Sequence, residues 1–216
     1  MASPPGQRLL RYDRRLGVPL VAGADEAGRG SLAGPLVVAA VLFDYGTLRE
    51  HRVRPLARLN DSKQVEPAVR DELVAAVQRA ALRIAVRVIP SEDIDRRGLH
   101  RSNLDGLRTV LSAVGQPGCA YLVDGFRLGP LAPPHVAVVD GDTKSAAIAA
   151  ASIVAKVTRD RLMQRLDAVH PHYGFARHVG YITPAHTDAV VRVGPCGQHR
   201  RSFNARAYAD APATAA

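Results

Sequence analysis

The chain has 216 residues, enough for one substantial core and a small appendage, and at 47% hydrophobic residues it is globular rather than disordered. Two cysteines far apart, Cys119 and Cys196, exclude a disulfide framework or a zinc-ligand array, and no run approaches the roughly 20 apolar residues of a membrane span. A formal net charge of +9, carried by arginine with only Lys63, Lys144 and Lys156 as lysines, suits a polyanion partner, although a composition rich in Arg and Ala gives the same excess without one.

Residues 1–16 read as a flexible, polar, arginine-rich arm without the apolar centre of a signal peptide. Leu20 to Ala24 and Leu36 to Phe43 are apolar runs of the kind that form inner strands. Between them stand Asp25 and Glu26, then Gly28-Arg29-Gly30, where backbone can approach a ligand and one guanidinium is offered. Adjacent side chains on a strand face opposite ways, so a regular strand cannot aim both acids at one point. The spacing Gly23 to Gly28 matches a Walker A loop, but Arg29 and Gly30 stand where Lys and Ser or Thr are required, and Gly28, Gly30 and Gly34 miss the dinucleotide fingerprint by one residue. Both nucleotide-loop readings fail.

Asp44 to Arg58 is irregular, and Leu59-Asn60-Asp61-Ser62-Lys63 is a polar knot able to bond its own backbone. Pro67 to Leu82 carries Val69, Leu73, Val74 and Val77 at helical spacing, and Ile84 to Ile89 alternates as a half-exposed strand. A short capped turn over Ser91 to Gly98 and a helix over Ser102 to Val114 follow. Cys119 to Val123 is a further apolar strand, ending in Asp124-Gly125, and Val136 to Val139 is the last one. Lys144 to Val169 is the longest helix. Its front half is nearly all small residues, which lets a helix lie close on a sheet, and its back half carries Lys156, Arg159, Asp160 and Arg161.

From His170 to Arg206 there are five His and five Arg against the single acid Asp188, interleaved with Tyr173, Phe175, Tyr181 and Phe203, a mixture that serves phosphates and sugars or equally a solvated basic subdomain. Thr183 caps a helix with Pro184 at its first position, and Gly194 ends it. Ala209 to Ala216 reads as a disordered tail. The domain expectation is an arm over 1–16, a catalytic domain over 17–169, a basic helical substrate-binding region over 170–208 and a tail over 209–216. The fold class is α/β, a mixed sheet with helices packed on it.

Asp25, Glu26 and Asp124 end two apolar strands and converge if those strands are neighbours. Asp160 lies seven residues after Ile153 on one helical face. Carboxylates without His or Cys suit Mg²⁺ or Mn²⁺, and two such ions can activate a water and stabilise the leaving oxygen of a phosphodiester.

The set Gly23-Ala24-Asp25-Glu26-Ala27-Gly28-Arg29-Gly30, Leu59-Asn60-Asp61-Ser62-Lys63, Val123-Asp124-Gly125, Gly141-Asp142, Ala150 to Asp160, Tyr173-Gly174-Phe175, Gly180-Tyr181 and His199 to Phe203 resembles the bacterial ribonuclease HII family, in family order. The resemblance implies a ribonuclease H-like fold with a small C-terminal helical region. It implies an endoribonuclease acting on RNA–DNA hybrids and on duplex DNA holding single ribonucleotides; the two distant cysteines separately suit a reduced, cytoplasmic protein, and a monomer is the default expectation. Metal-binding catalytic acids map onto Asp25, Glu26, Asp124 and Asp160, and substrate contacts onto Gly28, Arg29, Gly30, Lys63 and Tyr181. Gly28-Arg29-Gly30 would read the 2′-hydroxyl at an RNA–DNA junction, and Tyr181 would pack by the following deoxyribose. Val179 departs from the Lys expected before Gly180-Tyr181, and Ile182 stands where Pro is common. A junction resolvase would share the acids without needing the Gly-Arg-Gly loop, and a non-catalytic hybrid binder would tolerate their loss.

Overall fold

The computed structural model describes residues 4–60, 62 and 65–211. Lys63, expected to touch substrate, and the end of the expected tail lie outside the described residues. In chain order the elements are α1 (Pro5–Arg14), β1 (Leu20–Ala27), β2 (Leu36–Asp44), α2 (Glu50–Val53) with a 3₁₀ segment (Arg54–Arg58), α3 (Pro67–Ala80), β3 (Arg83–Ile89), α4 (Ser91–Arg97), α5 (Leu99–Val114), β4 (Cys119–Asp124), β5 (Val136–Val138), a 3₁₀ turn (Gly141–Thr143), α6 (Ala146–Val169), α7 (Phe175–His178), α8 (Pro184–Val193) and α9 (Arg206–Ala209). The five strands form one mixed sheet in the order β3-β2-β1-β4-β5, flanked by helices. No helix among the described residues is long and apolar enough to cross a membrane.

The chain forms two compact units and passes between them repeatedly. The first contains Met1–Ala27, Val38–Arg87 and Leu104–Val157; the second contains Gly28–Val37, Val88–Asn103 and Thr158–Ala216.

In the first unit, the apolar runs make the central strands because both faces are covered: Val38 to Phe43 are fully buried, as are Val21, Ala22 and Ala24. β1 and β4 are parallel neighbours, with Leu20 opposite Cys119 and Ala24 opposite Val123. β5 adds in parallel beyond β4. The small front half of α6 has its expected use: a Cβ added at Gly23 on β1 would collide with the Ala147 backbone, so helix and strand approach to backbone distance only because that position has no side chain.

The expected N-terminal arm is corrected. Residues 5–14 form α1, with Leu9 and Leu10 buried and Arg8, Arg11 and Arg15 on the outside. A Cβ at Gly6 would strike the Leu56 carbonyl, so α1 lies directly on the Arg54–Arg58 segment. Asp13 is buried; its Oδ2 accepts from Tyr45 Oη (2.7 Å) and from the Ala147 N–H (2.9 Å), tying α1 to the N-terminal end of α6. Asp13 thus satisfies a helix-end donor from a distance, and burial raises its pKa to about 6. Residues 206–209 form α9, which closes the expected basic helical region and takes in the first residue of the expected tail.

In the second unit, Thr183 caps α8 as its sequence indicates, its Oγ1 accepting from the His186 N–H (3.2 Å). Met163, Tyr173, Phe175, Ala189 and Val190 form an apolar cluster there.

Candidate active site

The register of β1 and β4 carries forward one step from the Ala24–Val123 pair, setting Asp25 level with Asp124 at the ends of adjacent parallel strands. The neighbouring strands that convergence requires are therefore present. Asp25 and Glu26 both lie inside β1, which runs on to Ala27, so regular alternation sends their side chains to opposite sides. Asp25 is buried and Glu26 half-buried.

Local bonds fix the two strand-end carboxylates. Asp25 Oδ1 accepts from the Glu26 N–H (2.7 Å), and Asp25 also accepts from the Ser152 hydroxyl on α6. Ser62 Oγ lies 3.0 Å from Ser152 Oγ; with the Ser152 proton given to Asp25, Ser62 donates to Ser152, which links Ser62 to Asp25 through one hydroxyl. Asp124 Oδ1 accepts from the Gly141 N–H (2.6 Å). A Cβ at Gly141 would crowd Ile148 Cδ1 and stand 3.1 Å from that oxygen, so a larger residue would press on this bond. Burial, then the Glu26 and Asp124 carboxylates, push the Asp25 carboxyl well above the ordinary carboxylate range. Among the described residues no three carboxylate, imidazole or thiol groups already form a cage for an ion.

Asp160, Gly28, Arg29, Gly30 and Tyr181 belong to the second unit. Its centre is a pair of buried arginines. Arg159 is 1% exposed and donates to three carbonyls: Nε to Pro35 (2.9 Å), Nη1 to Val179 (2.8 Å) and Nη2 to Ala33 (3.1 Å). Its guanidinium also lies over the Tyr181 ring, 5.6 Å from the centroid. Arg200, 0% exposed, gives Nε and Nη2 to the Gly34 carbonyl (3.1 and 2.9 Å) and Nη1 to the Arg29 carbonyl (3.0 Å). Burial lowers both pKa values, that of Arg200 to about 9, with the charge of Arg159 as a second cause.

These cations brace the Gly-Arg-Gly loop from behind. Gly28 has φ 88°, and a Cβ there would strike the Arg159 guanidinium, so Gly28 is glycine for internal reasons. Gly30 is different: it is exposed, its φ is ordinary and an added Cβ would meet nothing within 4 Å. Arg29 is exposed beside it. The Gly180 carbonyl accepts from the Leu32 and Ala33 N–H groups (2.8 and 3.2 Å), linking the loop to the Tyr181 segment. Val179 sits at φ 42°, a costly conformation for a β-branched residue, and Arg159 holds its carbonyl.

A histidine chain secures the same segment. The Cys196 N–H donates to His199 Nδ1 (3.0 Å), which puts the proton of His199 on Nε2, facing His186 Nε2 (3.1 Å). His186 therefore carries its proton on Nδ1 and donates it to the Tyr181 carbonyl (2.9 Å). Both rings are buried, and each is neutral in this network. Burial first, then neighbouring imidazoles, lower the pKa of His186 to about 4 and of His199 to about 3.

Ser62, Ser152, Gly141, His186 and His199 acquire roles that sequence reading does not assign. Arg159 had a usable signal: it follows Ser152 and Ala155 at helical spacing, on the stripe of small buried residues.

The ribonuclease HII family model matches residues 22–206, which include every one of these residues. The chain belongs to the ribonuclease HII family. It is 50% identical over 189 residues to ribonuclease HII of Mycobacterium avium (strain 104), covering 88% of this chain and 80% of that protein. It is 48% identical over 202 residues to ribonuclease HII of Mycobacterium bovis (strain BCG / Pasteur 1173P2), covering 93% and 75%. The crystal structure of ribonuclease H2 from Pyrococcus horikoshii OT3 superposes with a TM-score of 0.72 at 25% identity, over 88% of this chain and 95% of that one. Ribonuclease HII in its PCNA complex from Archaeoglobus fulgidus superposes equally well, with a TM-score of 0.72 at 25% identity over 87% and 96%. The fold is ribonuclease H-like, and the chain is a ribonuclease H, an enzyme class that hydrolyses RNA within RNA–DNA hybrids.

Proposed function

We propose that this ribonuclease H is a divalent-metal-dependent endonuclease that cuts the RNA strand of hybrids and also nicks 5′ of single ribonucleotides embedded in duplex DNA, leaving 5′-phosphate and 3′-hydroxyl ends. Such nicking starts ribonucleotide excision and serves primer removal. The enzyme works as a cytoplasmic monomer.

The metal reading is supported by the donor chemistry. Asp25 is a buried carboxyl whose anion is disfavoured by two neighbouring acids, and a divalent cation would remove that penalty. Asp25, Glu26, Asp124 and Asp160 would hold Mg²⁺ or Mn²⁺. The ion supplies a more acidic water and offsets charge on the phosphate. The chain's own part is to hold the acids: Ser152 orients Asp25, and the Gly141 N–H orients Asp124.

The observation that carries the junction reading is Gly30. No internal contact and no backbone angle requires glycine there, so its bare backbone is free for close approach to a ligand. Gly28, Arg29 and Gly30 would meet the 2′-hydroxyl, which distinguishes RNA from DNA. Tyr181 would pack against the deoxyribose that follows, and Lys63 would contact the backbone.

The test is a labelled DNA duplex with one ribonucleotide, given Mg²⁺ or Mn²⁺, beside an all-DNA control. A single nick 5′ of the ribonucleotide is expected. Cutting of long hybrids alone would remove the junction roles of Gly30 and Tyr181 and leave the acids.

A further inference from the structure

In the first unit, α1 and the turn that follows β5 line a cavity of about 380 Å³ that plays no part in the site above. Its lining is Arg8, Arg11, Tyr12, Arg15, Thr143 and Lys144: four cations, two hydroxyl side chains and no acid. Arg8, Arg11 and Arg15 fall at i, i+3 and i+7, on one face of the helix, opposite the buried Leu9 and Leu10. That face is firmly mounted. Asp13 bonds the N-terminal end of α6, and Gly6 lies against the Leu56 carbonyl, so the cations stand on a fixed element.

None of Arg8, Arg11 and Arg15 forms an ion pair among the described residues, so their mutual repulsion is uncompensated. The opposite wall is directed too. Lys144 Nζ donates to the Val139 carbonyl (2.6 Å) and Thr143 Oγ1 to the Asp140 carbonyl (2.8 Å), which fixes the wall's shape. This is the same short turn whose Gly141 N–H holds Asp124, and the Lys144 N–H bonds back to the Gly141 carbonyl (3.0 Å). The cavity therefore flanks the Asp124 end of the acid group.

We propose that this pocket binds backbone phosphates of the nucleic-acid duplex, away from the bond being cut. Arginine forks match phosphate oxygens in charge and geometry. Seven residues of helix span roughly 10 Å, longer than one phosphate, which favours successive phosphodiesters of a strand over a free phosphate ion. The inference rests on the chain acting on a nucleic-acid duplex, and it gives α1 a share in holding that duplex.

The experiment uses the full chain and its Arg8→Gln/Arg11→Gln/Arg15→Gln variant, with Lys144→Gln alongside. Binding of a fluorescent duplex carrying one ribonucleotide is measured in EDTA, where nothing is cut, at salt from about 50 to 200 mM. The triple variant should bind at least about tenfold more weakly, and its slope of log affinity against log salt should be shallower by about 2 to 3. An all-DNA duplex should lose as much, because phosphate contacts carry no sequence information. With metal restored, the loss should appear in KM rather than kcat. The melting temperature of the triple variant should hold, since Arg8, Arg11 and Arg15 are exposed and form no ion pair among the described residues. Unchanged affinity and slope would overturn the proposal. So would calorimetric titration with inorganic phosphate showing submillimolar binding that the triple variant loses, because the pocket would then be a free-phosphate site. A parent protein that binds duplex through the pocket but cuts no ribonucleotide would refute the proposed activity and leave the pocket standing.

Discussion

In the first unit the notable buried charges are carboxylates, and at the acid site they repel one another; in the second they are guanidiniums, and they are bonded to carbonyls. Asp25 is raised by burial and by two neighbouring acids, so its surroundings disfavour its anion. Arg159 and Arg200 are at least as deeply buried, yet each fork is filled by backbone oxygens of the segments it braces. A charge left uncompensated stores affinity for a counter-ion, whereas a charge saturated by carbonyls fixes a shape. On the proposed metal reading the first unit would receive a cation, while the second holds a loop.

The largest expected effect breaks the first half of that contrast. Asp124→Asn should lower turnover by roughly a thousandfold, since losses of this kind remove several kcal/mol of transition-state stabilisation, with duplex affinity kept within a few-fold. Single-turnover cleavage alongside binding would check it, and normal cutting would remove Asp124 from the site. Arg159→Met should break the second half. It strands the Pro35, Val179 and Ala33 carbonyls and should cost about 3–5 kcal/mol in urea denaturation, with Arg159→Lys intermediate.

Acid should separate the units. Folded His186 and His199 have pKa values of about 4 and 3 against 6.5 for an ordinary histidine, so the unfolded chain binds more protons than the folded one. Their contribution is complete above about 6.5 and is lost as pH falls towards those values. Asp13 has the opposite sign. Raised from 3.8 to about 6, it penalises the fold above about 6, and the penalty is relieved as pH drops towards 3.8. Hydrogen exchange at pH 5 against pH 7.5, corrected for intrinsic rates, should show protection lost around residues 173–200 before residues 20–27 and 38–44; uniform loss would contradict the histidine account.

Two glycines give the smaller effects. Gly23→Ala should cost about 1–3 kcal/mol, because the new methyl meets the backbone of α6. Gly30→Ala should change stability by less than about 0.5 kcal/mol, as surface substitutions do, while weakening discrimination between a lone ribonucleotide and DNA. A Gly30→Ala protein that is stable and fully discriminating would take the loop out of junction reading.

The inner strands and α6 were legible because apolar runs and a small-residue stripe report burial directly. Asp25 and Asp124 could be paired in thought as soon as both were seen at strand ends. The helix α1 was hidden because its arginines mask Leu9 and Leu10, and because Asp13 finds its partner 134 residues away. The second unit's framework was hidden for the same reason. Arg159 and Arg200 look like solvated charges until carbonyls between 20 and 171 residues distant are found around them. Local pattern reveals which surface is apolar, but not which backbone oxygen a buried cation will meet.

The span from Gly34 to Arg200 has a consequence for synthesis. The carbonyl of Gly34 waits 166 residues for its donor and that of Arg29 waits 171. At ordinary translation speeds of about 5–20 residues per second, that delay is roughly 10–30 s. During it the Gly-Arg-Gly loop leaves the ribosome without its brace, while Asp25 and Asp124 are already paired in sequence distance by residue 124. A transcript truncated before codon 200 would yield a chain that carries Asp25, Glu26, Asp124 and Asp160 but lacks the Arg200 brace on its loop.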